Sequence, residues 1–260
     1  MIHVRDDRSK VERSPREWVG TSGWSYDHWA GVFYPDHLAA AKRLSFYAAR
    51  FPTVEVDGTF YRLPTEDAVA RWRDQVPADF RFAVKASRFI THFRRLAGVD
   101  AEVASFLRRM SGLGDKLAVV LWQLPPGLHR DLDVLGRFLE LLPGGDVRHA
   151  IEFRDESWLA KDVFALLGEY GVAQVHVSSD GMPTELTPTT DFVYIRFHDT
   201  AAYHGAYEAP ALTPWCEFIG RQLAEGRDVF AYFNNDAGGH APADAARLIE
   251  MLEHDLCVSE

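Results

Sequence analysis

Polar and charged side chains suited to acid/base chemistry or anion binding recur near the ends of short apolar runs in this chain. In Val54-Glu55-Val56-Asp57, the two carboxylates occupy alternate positions and so share one face of an extended strand. The same alternation assigns to such a face Thr59, Lys85, Gln123, Glu152, Arg154, His176, Ser178, Arg196, His198, Asn234 and Asp236. A strand covered on both faces would be apolar throughout, so we expect these polar ends to meet in a shared polar space.

Side-chain chemistry suggests a role for each residue in this space. The candidate catalytic residues, which include the acid/base groups, are Asp57, Lys85, Glu152 and His198. The candidate substrate-binding residues are Trp24, Tyr26, Tyr61, Arg62, Arg154, Arg196, Asn234 and Asp236. Because arginine forks match phosphate and carboxylate geometry, we expect Lys85, Arg154 and Arg196 to converge on one oxyanion.

Two other interpretations of the same residues remain open. Some of the charges are expected to satisfy one another in a structural ion-pair network, and Glu55 and Glu152, one step deeper than their neighbours, are the first candidates. A metal site is the second interpretation, with Asp57, Glu152, His176, His198 and Asp236 as scattered ligands. The nearby cations would repel a divalent ion and no H-E-x-x-H motif is present, so we predict no dedicated metal and no cofactor.

The elements that position these residues are eight short strands alternating with helical segments. The predicted strands are 18–22, 54–60, 80–86, 117–124, 148–154, 173–179, 192–198 and 228–234. Helical periodicity is found in 38–50, 66–75, 100–111, 131–142, 158–170, 212–225 and 240–256. This alternation predicts an α/β fold, a (β/α)8 TIM-like barrel with its site at the carboxyl ends of the strands. Because 181–191 contains Pro183, Pro188 and four threonines, we expect the sixth helix to be short or missing.

Three of the connections that follow strands are longer than a simple turn requires. They are 23–37, which is rich in aromatic residues, 87–99, which contains Arg88, His92, Arg94 and Arg95, and 199–211, which contains His204 and Tyr207. We expect Trp29 and Phe33 to pack the first connection onto the barrel. Trp24 and Tyr26, closer to the strand end, are expected to stack on a sugar or a base.

Composition limits the class of protein. The chain has 260 residues, close to the ~250 of a typical (β/α)8 barrel, and a net charge of -10, which argues against a large non-specific nucleic-acid surface. Cys216 and Cys257 are too few for a disulfide framework or a metal cluster, and we expect thiols in a reducing cytoplasm. We predict a flexible charged tail over 1–17 and a single barrel domain over 18–260, with no membrane span.

Many short motifs, in one order along the chain, resemble the DUF72 family, also called YecE-like proteins. They include Gly20-Thr21-Ser22-Gly23-Trp24, Phe33-Tyr34-Pro35, Thr59-Phe60-Tyr61-Arg62-Leu63-Pro64, Thr91-His92, Arg95-Leu96, Gln123-Leu124-Pro125-Pro126, Glu152-Phe153-Arg154 and Tyr194-Ile195-Arg196-Phe197-His198. The resemblance covers 18 to about 250 and implies a TIM barrel, but it implies no activity. Asp57 departs from it, since the family pattern leads us to expect asparagine there.

Together the residues favour an enzyme that acts on a small anionic or phosphorylated substrate, a sugar phosphate being one example. A metal-assisted phosphoesterase or nuclease is an alternative that rests on fold analogy alone. A non-catalytic module that binds single-stranded nucleic acid is the other alternative, because arginines and stacking aromatic rings serve that function equally well. The sequence does not specify the oligomeric state.

Overall fold

The strands close into a single parallel barrel in a computed structural model, which describes residues 14–198, 205–254 and 257. Each strand pairs with its neighbours in chain order, and β1 pairs with β8. The strands are Glu17–Ser22 (β1), Thr53–Val56 (β2), Arg81–Lys85 (β3), Leu117–Gln123 (β4), Arg148–Glu152 (β5), Val172–Ser178 (β6), Phe192–His198 (β7) and Asp228–Asn234 (β8). The predicted (β/α)8 fold is confirmed.

The seven predicted helices are present and surround the barrel. They are Ala40–Ala48 (α1), Glu66–Asp74 (α2), Asp100–Met110 (α3), Leu132–Leu139 (α4), Lys161–Glu169 (α5), Ala209–Ala224 (α6) and His240–Glu253 (α7). The predicted end of the last helix at 256 lies outside the described residues. Strand β2 ends at Val56 rather than at 60, because Gly58–Phe60 forms a short 3-10 helix. No helix in the described part of the chain is long and apolar enough to cross a bilayer.

The sixth connection contains no helix within 179–191, as the sequence predicted. Its threonines instead bond to the edge of β6: Thr189 Oγ1 accepts from the Gln174 backbone N–H at 2.9 Å. The carbonyl oxygen of Glu185 accepts from Gln174 Nε2 and contacts His176 Nδ1, both at 2.8 Å. The segment therefore covers polar side chains on the outer face of β6, a position where a helix would bring an apolar face.

This arrangement corrects the side-chain alternation expected for β6. The side chains of Ala173, Val175 and Val177 belong to the apolar cluster inside the barrel. His176 consequently points outward, where its ring packs edge-on against Phe218 of α6, and Ser178 Oγ accepts from the Tyr207 hydroxyl at 3.0 Å. The prediction that His176 and Ser178 face the lumen is wrong. Polar side chains are tolerated on the outer face of β6 because the segment 179–191 and Tyr207 supply hydrogen-bond partners there.

Two further expectations change at the chain ends. Residues 1–13 of the predicted tail lie outside the described residues, but Arg16 and Glu17 belong to the barrel. The Arg16 backbone N–H donates to Asp228 Oδ1 at 2.9 Å, and β1 begins at Glu17. Cys216 and Cys257, expected to be thiols, form a disulfide with Cα atoms 5.1 Å apart. Packing of α7 against α6 brings them together, which their separation of 41 residues did not reveal.

Strands β1 and β2 approach closely at Gly20, where a side chain does not fit. The Tyr47 hydroxyl links the two strands, since it accepts from the Thr21 backbone N–H at 2.8 Å and donates to the Thr53 carbonyl at 2.9 Å. A Cβ at Gly20 would overlap the Thr53 carbonyl oxygen and lie 2.9 Å from the Tyr47 hydroxyl. Glycine at this position thus permits the strand spacing that brings Ser22 beside Glu55.

We predict that Gly20→Ala lowers the free energy of unfolding by about 1–3 kcal/mol, because the new methyl group must displace backbone in a closed barrel. The matched control is Gly136→Ala in α4, where a Cβ meets nothing within 4 Å. The control should stabilise by about 0.5–1 kcal/mol, since alanine is the better helix former. Urea unfolding of both variants measures the difference, and equal stabilities would contradict the close approach.

Candidate functional site

A buried ion network crosses the inside of the barrel and supports the site. Arg196 of β7 is fully buried; its Nη2 donates to Glu55 Oε1 and its Nη1 to Glu152 Oε2, each at 2.7 Å. Ser22 Oγ and the Tyr194 hydroxyl also donate to Glu55, at 2.5 and 2.6 Å. These residues come from β1, β2, β5 and β7, so only a closed barrel brings them together. The expectation that Glu55 and Glu152 are deep network residues agrees with this geometry.

The expected convergence of three cations on one oxyanion is corrected by the same network. Arg196 has no exposed surface and is engaged by two carboxylates, so it lies beneath the open mouth. Lys85 pairs with Asp57 and Arg154 pairs with Glu152. Burial of a guanidinium requires such compensation, which accounts for the difference. Arg196 is therefore a supporting residue, whereas Lys85 and Arg154 border the mouth.

Above the network, Arg154 and His198 form a partly exposed layer. Arg154 Nε donates to Glu152 Oε1, Nη1 lies 2.6 Å from Met182 Sδ, and Nη2 lies 3.4 Å from His198 Nε2. Asn234 Nδ2 lies 3.2 Å from His198 Nδ1, because β7 and β8 pair these two residues directly. The His198 side chain is 12% exposed. The structure thus brings together four predicted site residues: Glu152, Arg154, His198 and Asn234.

Lys85 and Asp57 connect this layer to a cleft beside it. Lys85 Nζ lies 2.9 Å from Asp57 Oδ1 and 4.4 Å from the centre of the Phe60 ring. The Lys85 side chain is 9% exposed and the Asp57 side chain 25%. Thr59 Oγ1 donates at 2.6 Å to the Lys85 carbonyl, which ties the turn after β2 to β3. Asp57 is therefore shared between the central charges and the neighbouring cleft.

The cleft has a volume of about 580 Å³ and lies between the first connection, the turn after β2, and α2. Its lining includes the predicted residues Trp24, Tyr26, Asp57, Tyr61 and Arg62, together with Trp72. The Trp24 and Trp72 rings meet edge-to-face at 5.6 Å. Trp29 is fully buried and Phe33 packs on the core, as expected for residues that hold the first connection in place.

Asp236 lies at the rim rather than among the central charges. His28 Nε2 is 2.7 Å from the Asp236 carbonyl oxygen and 3.7 Å from its carboxylate. With His176 outside the barrel, the five scattered candidate metal ligands do not gather at one point. Within the described ranges, no group of three His, Cys, Asp or Glu side chains is arranged to hold a metal ion.

Burial and the neighbouring charges determine the protonation of the central groups. Burial alone would raise the pKa of Glu152, but the attraction of Arg196 and Arg154 outweighs it and lowers that pKa to about 2. For His198, burial and then the repulsion of Arg196 lower the pKa to about 3. At neutral pH, Glu152 is therefore ionised and His198 is a neutral imidazole.

Three residues near the site were absent from the predicted set: His92, Met182 and Trp72. His92 lies in the connection after β3, and its ring meets Phe60 edge-to-face at 4.9 Å. Burial, then Lys85 and Arg154, lower its pKa. Thr91-His92 in a long mouth-side connection was a usable signal. Met182 and Trp72 carry no such signal, because a methionine in a connection and a tryptophan on a helix are ordinary packing residues.

These contacts predict that Arg196 is essential for stability. Arg196→Met should lower the free energy of unfolding by about 3–5 kcal/mol, because Glu55 and Glu152 remain buried without their shared partner. Arg130→Met is the control: Arg130 pairs with Asp162 on the surface at 2.8 Å, and its loss should cost about 0–1 kcal/mol. Urea unfolding would contradict the account if Arg196→Met cost no more than the control.

The neutral buried histidines predict a loss of stability in acid. An unfolded histidine takes up a proton near pH 6.5, whereas folded His198 stays neutral to about pH 3 and His149 and His176 to about pH 4. Below pH 6.5 the unfolded chain therefore binds more protons than the folded chain. The free energy of unfolding is highest above pH 6.5, and below that pH it falls by about 1.4 kcal/mol per pH unit for each histidine. Glu152 adds a further loss below pH 4.5.

Urea unfolding between pH 7 and pH 4 measures this slope. His198→Gln should lower the slope by about 1.4 kcal/mol per pH unit, because one fewer proton is bound on unfolding. His129→Gln is the surface control, since that side chain is 82% exposed, and it should leave the slope unchanged. An unchanged slope in His198→Gln would mean that the His198 imidazole is protonated in the folded protein.

Comparisons with known proteins agree with this fold. The UPF0759 protein YunF of Bacillus subtilis (strain 168) is 27% identical over 270 residues, covering 91% of this chain and 94% of that protein. The UPF0759 protein YecE of Escherichia coli (strain K12) is 34% identical over 145 residues, covering 55% of this chain and 50% of that protein. A crystal structure of a DUF72 family protein from Thermotoga maritima superposes with a TM-score of 0.83 at 27% identity, covering 92% and 99% of the two chains.

A more distant structure, D-psicose 3-epimerase from Clostridium cellulolyticum, has a TM-score of 0.51 at 10% identity and shows the shared barrel fold alone. It covers 81% of this chain and 92% of that one. The family model described as "Protein of unknown function DUF72" matches residues 18–259, nearly the whole chain. The expected resemblance is confirmed: the chain belongs to the DUF72 family.

Proposed function

We propose that the protein is an enzyme that binds a small anionic or phosphorylated substrate over Lys85 and Arg154 and transfers a proton through His198. The observation that carries the proposal is a neutral imidazole next to cations at a partly open mouth. His198 Nε2 lies 3.4 Å from Arg154 Nη2, and Lys85 is close enough to help lower the His198 pKa. An oxyanion held by those cations would offset their repulsion and raise the His198 pKa, so that the neutral imidazole accepts a proton from the bound substrate.

The two cations retain hydrogen-bond donors for such a substrate. Lys85 has three N–H groups and directs Nζ toward Asp57, and each Arg154 Nη carries one N–H beyond its contact with Met182 or His198. Glu152, ionised and engaged by Arg154 and Arg196, orients the layer. Asp57, Glu152 and Asn234 remain candidates for further acid/base and orienting roles.

The cleft gives the rest of the substrate a place to bind. Trp24, Tyr26, Tyr61 and Trp72 supply aromatic walls, while Asp57 and Arg62 supply polar groups. Aromatic faces with a few placed polar groups suit a ring that carries hydroxyl groups, so a sugar phosphate is a substrate of the proposed class. The Asp57–Lys85 pair would bring such a ring next to the anion subsite.

A second candidate function has its own supporting observation. Tyr61 and Phe93 are 64% and 66% exposed, and the Arg88 guanidinium lies 5.2 and 5.6 Å from their ring centres. Exposed rings beside an arginine would also stack on the bases of single-stranded nucleic acid. Such binding should weaken steeply between 50 and 200 mM salt, as general for phosphate contacts, and a substrate in the mouth much less.

A cytoplasmic location belongs to the proposal and depends on the redox state of the cysteines. It requires that the Cys216–Cys257 bond be reduced or protected in the cell. Alkylation of intact cells before lysis, followed by mass spectrometry, distinguishes two free thiols from a disulfide.

Calorimetric titration with inorganic phosphate and simple phosphate monoesters tests the anion subsite. Lys85→Met and Arg154→Met should each raise the dissociation constant about tenfold or more, because each removes a charge-assisted hydrogen bond. Arg137→Met removes an exposed charge near the end of α4 and should leave binding unchanged. Equal affinities in all three variants, or no binding to the native protein, would contradict the subsite.

Proton transfer is tested by incubating the protein with a small-molecule extract and following substrate depletion by mass spectrometry. Anionic compounds that native protein converts should persist with His198→Gln and be converted by Arg137→Met. Conversion by His198→Gln at the native rate would assign the chemistry to another residue.

A further inference from the structure

A further pocket lies beside the mouth, between the connections that follow β3, β4 and β5. Its volume is about 430 Å³. The apolar part of its lining consists of Leu96, Ala97, Leu128, Val134 and Trp158. Trp158 is buried, and its Nε1 donates to the Leu128 carbonyl at 2.6 Å, which ties the connection after β5 to the connection after β4. None of these residues lines the cleft at the mouth.

Three arginines and one aspartate supply the charges that line this pocket: Arg94, Arg95, Arg130 and Asp131. Arg94 Nη2 donates to the Gly98 carbonyl at 3.1 Å, and Arg130 Nη1 pairs with Asp162 at 2.8 Å. The Asp131 carboxylate is occupied as the cap of α4, since it accepts from the Val134 backbone N–H at 2.9 Å. Among the described residues, the Arg95 guanidinium alone of these charges has no hydrogen bond or ion pair.

His129 also lines the pocket, and its partner is Asp155. Its Nδ1 is 3.3 Å from Asp155 Oδ1, and Asp155 in turn accepts from the Ser157 hydroxyl at 2.6 Å. The pocket therefore has an excess of positive charge in a protein whose net charge is -10.

The backbone at Arg95 is strained, which gives a second and independent observation. Arg95 and Leu96 have φ values of 49° and 68°, and no other non-glycine residue in the described part of the chain has a positive φ. Residues with side chains adopt this region at a cost. The burial of Leu96, whose backbone N–H donates to the Ile90 carbonyl at 3.0 Å, accounts for the turn. It does not account for arginine at 95, where glycine would adopt the same φ without strain.

We propose that this pocket binds a small anion that carries an apolar group, such as a carboxylate or a phosphate monoester with a short apolar chain. Arg95 holds the anionic head, and the apolar group lies against Leu128, Val134 and Trp158. An unpaired guanidinium at the edge of an apolar pocket matches this combination. The site is independent of the proposed reaction, because it shares no residue with the Lys85–Arg154 layer.

Calorimetric titration of the full chain with hexanoate, phenyl phosphate, inorganic phosphate and uncharged hexanol tests the proposal. We expect hexanoate or phenyl phosphate to bind and to shift the NMR signal of the Trp158 indole N–H, with hexanol and inorganic phosphate binding more weakly. Titration with hexyl phosphate, whose alkyl chain is close in length to that of hexanoate, then identifies the preferred head group. Lys85→Met should weaken binding of phosphates at the mouth but leave the titration of the Trp158 signal unchanged, which separates the two sites.

Arg95→Gly is the decisive variant, because it removes the guanidinium and relieves the strain. The dissociation constant should rise about fivefold or more, while the melting temperature stays constant or rises by up to about 2 °C. Arg137→Met, which removes a charge elsewhere on the surface, should change neither property. A purely structural role for Arg95 predicts native affinity in Arg95→Gly. That result, or no binding of either amphiphilic anion to the native protein, would overturn the proposal.

Discussion

A guanidinium buried inside a closed barrel must be surrounded by carboxylates, since an uncompensated charge there would cost several kcal/mol. Arg196 imposes this requirement, and Glu55 and Glu152 meet it from β2 and β5. Those strands are not neighbours of β7, so the network links distant parts of the barrel wall. Because the second oxygen of Glu152 holds Arg154, and Arg154 contacts His198, the position of each mouth residue depends on the buried pair below it.

Charge neutrality has a consequence for recognition at the mouth. Lys85 is matched by Asp57, while Arg154 and Arg196 share Glu152 and Glu55. Recognition of an anion therefore depends on the geometry of the few remaining N–H donors more than on the net positive charge of the mouth. Such a site is selective for shape and donor geometry, and it is less sensitive to salt than an exposed basic surface. This property distinguishes the proposed enzyme from a nucleic-acid-binding module.

Strand alternation predicted much of the barrel and its mouth, because burial on two faces constrains which side chains can be polar. It correctly placed Glu55 and Glu152 deep in the barrel and turned His198 and Asn234 inward. It failed at His176, because alternation leaves open which of the two faces is the lumen. Arg196 was assigned to the substrate because it lies near the end of β7, and the sequence did not reveal that two carboxylates on other strands would engage it. Met182 and Trp72 owe their positions to tertiary packing, which local sequence does not encode.

The most direct measurement is a crystal structure of the protein soaked with tungstate, a phosphate analogue with strong anomalous scattering. If Arg196 supports the site while Lys85 and Arg154 bind the anion, the anomalous peak lies within hydrogen-bonding distance of Lys85 Nζ and the Arg154 guanidinium. Arg196 then keeps its contacts with both Glu55 and Glu152. A peak in contact with Arg196, or Lys85 and Arg154 remaining on their carboxylates with no peak between them, would contradict the account.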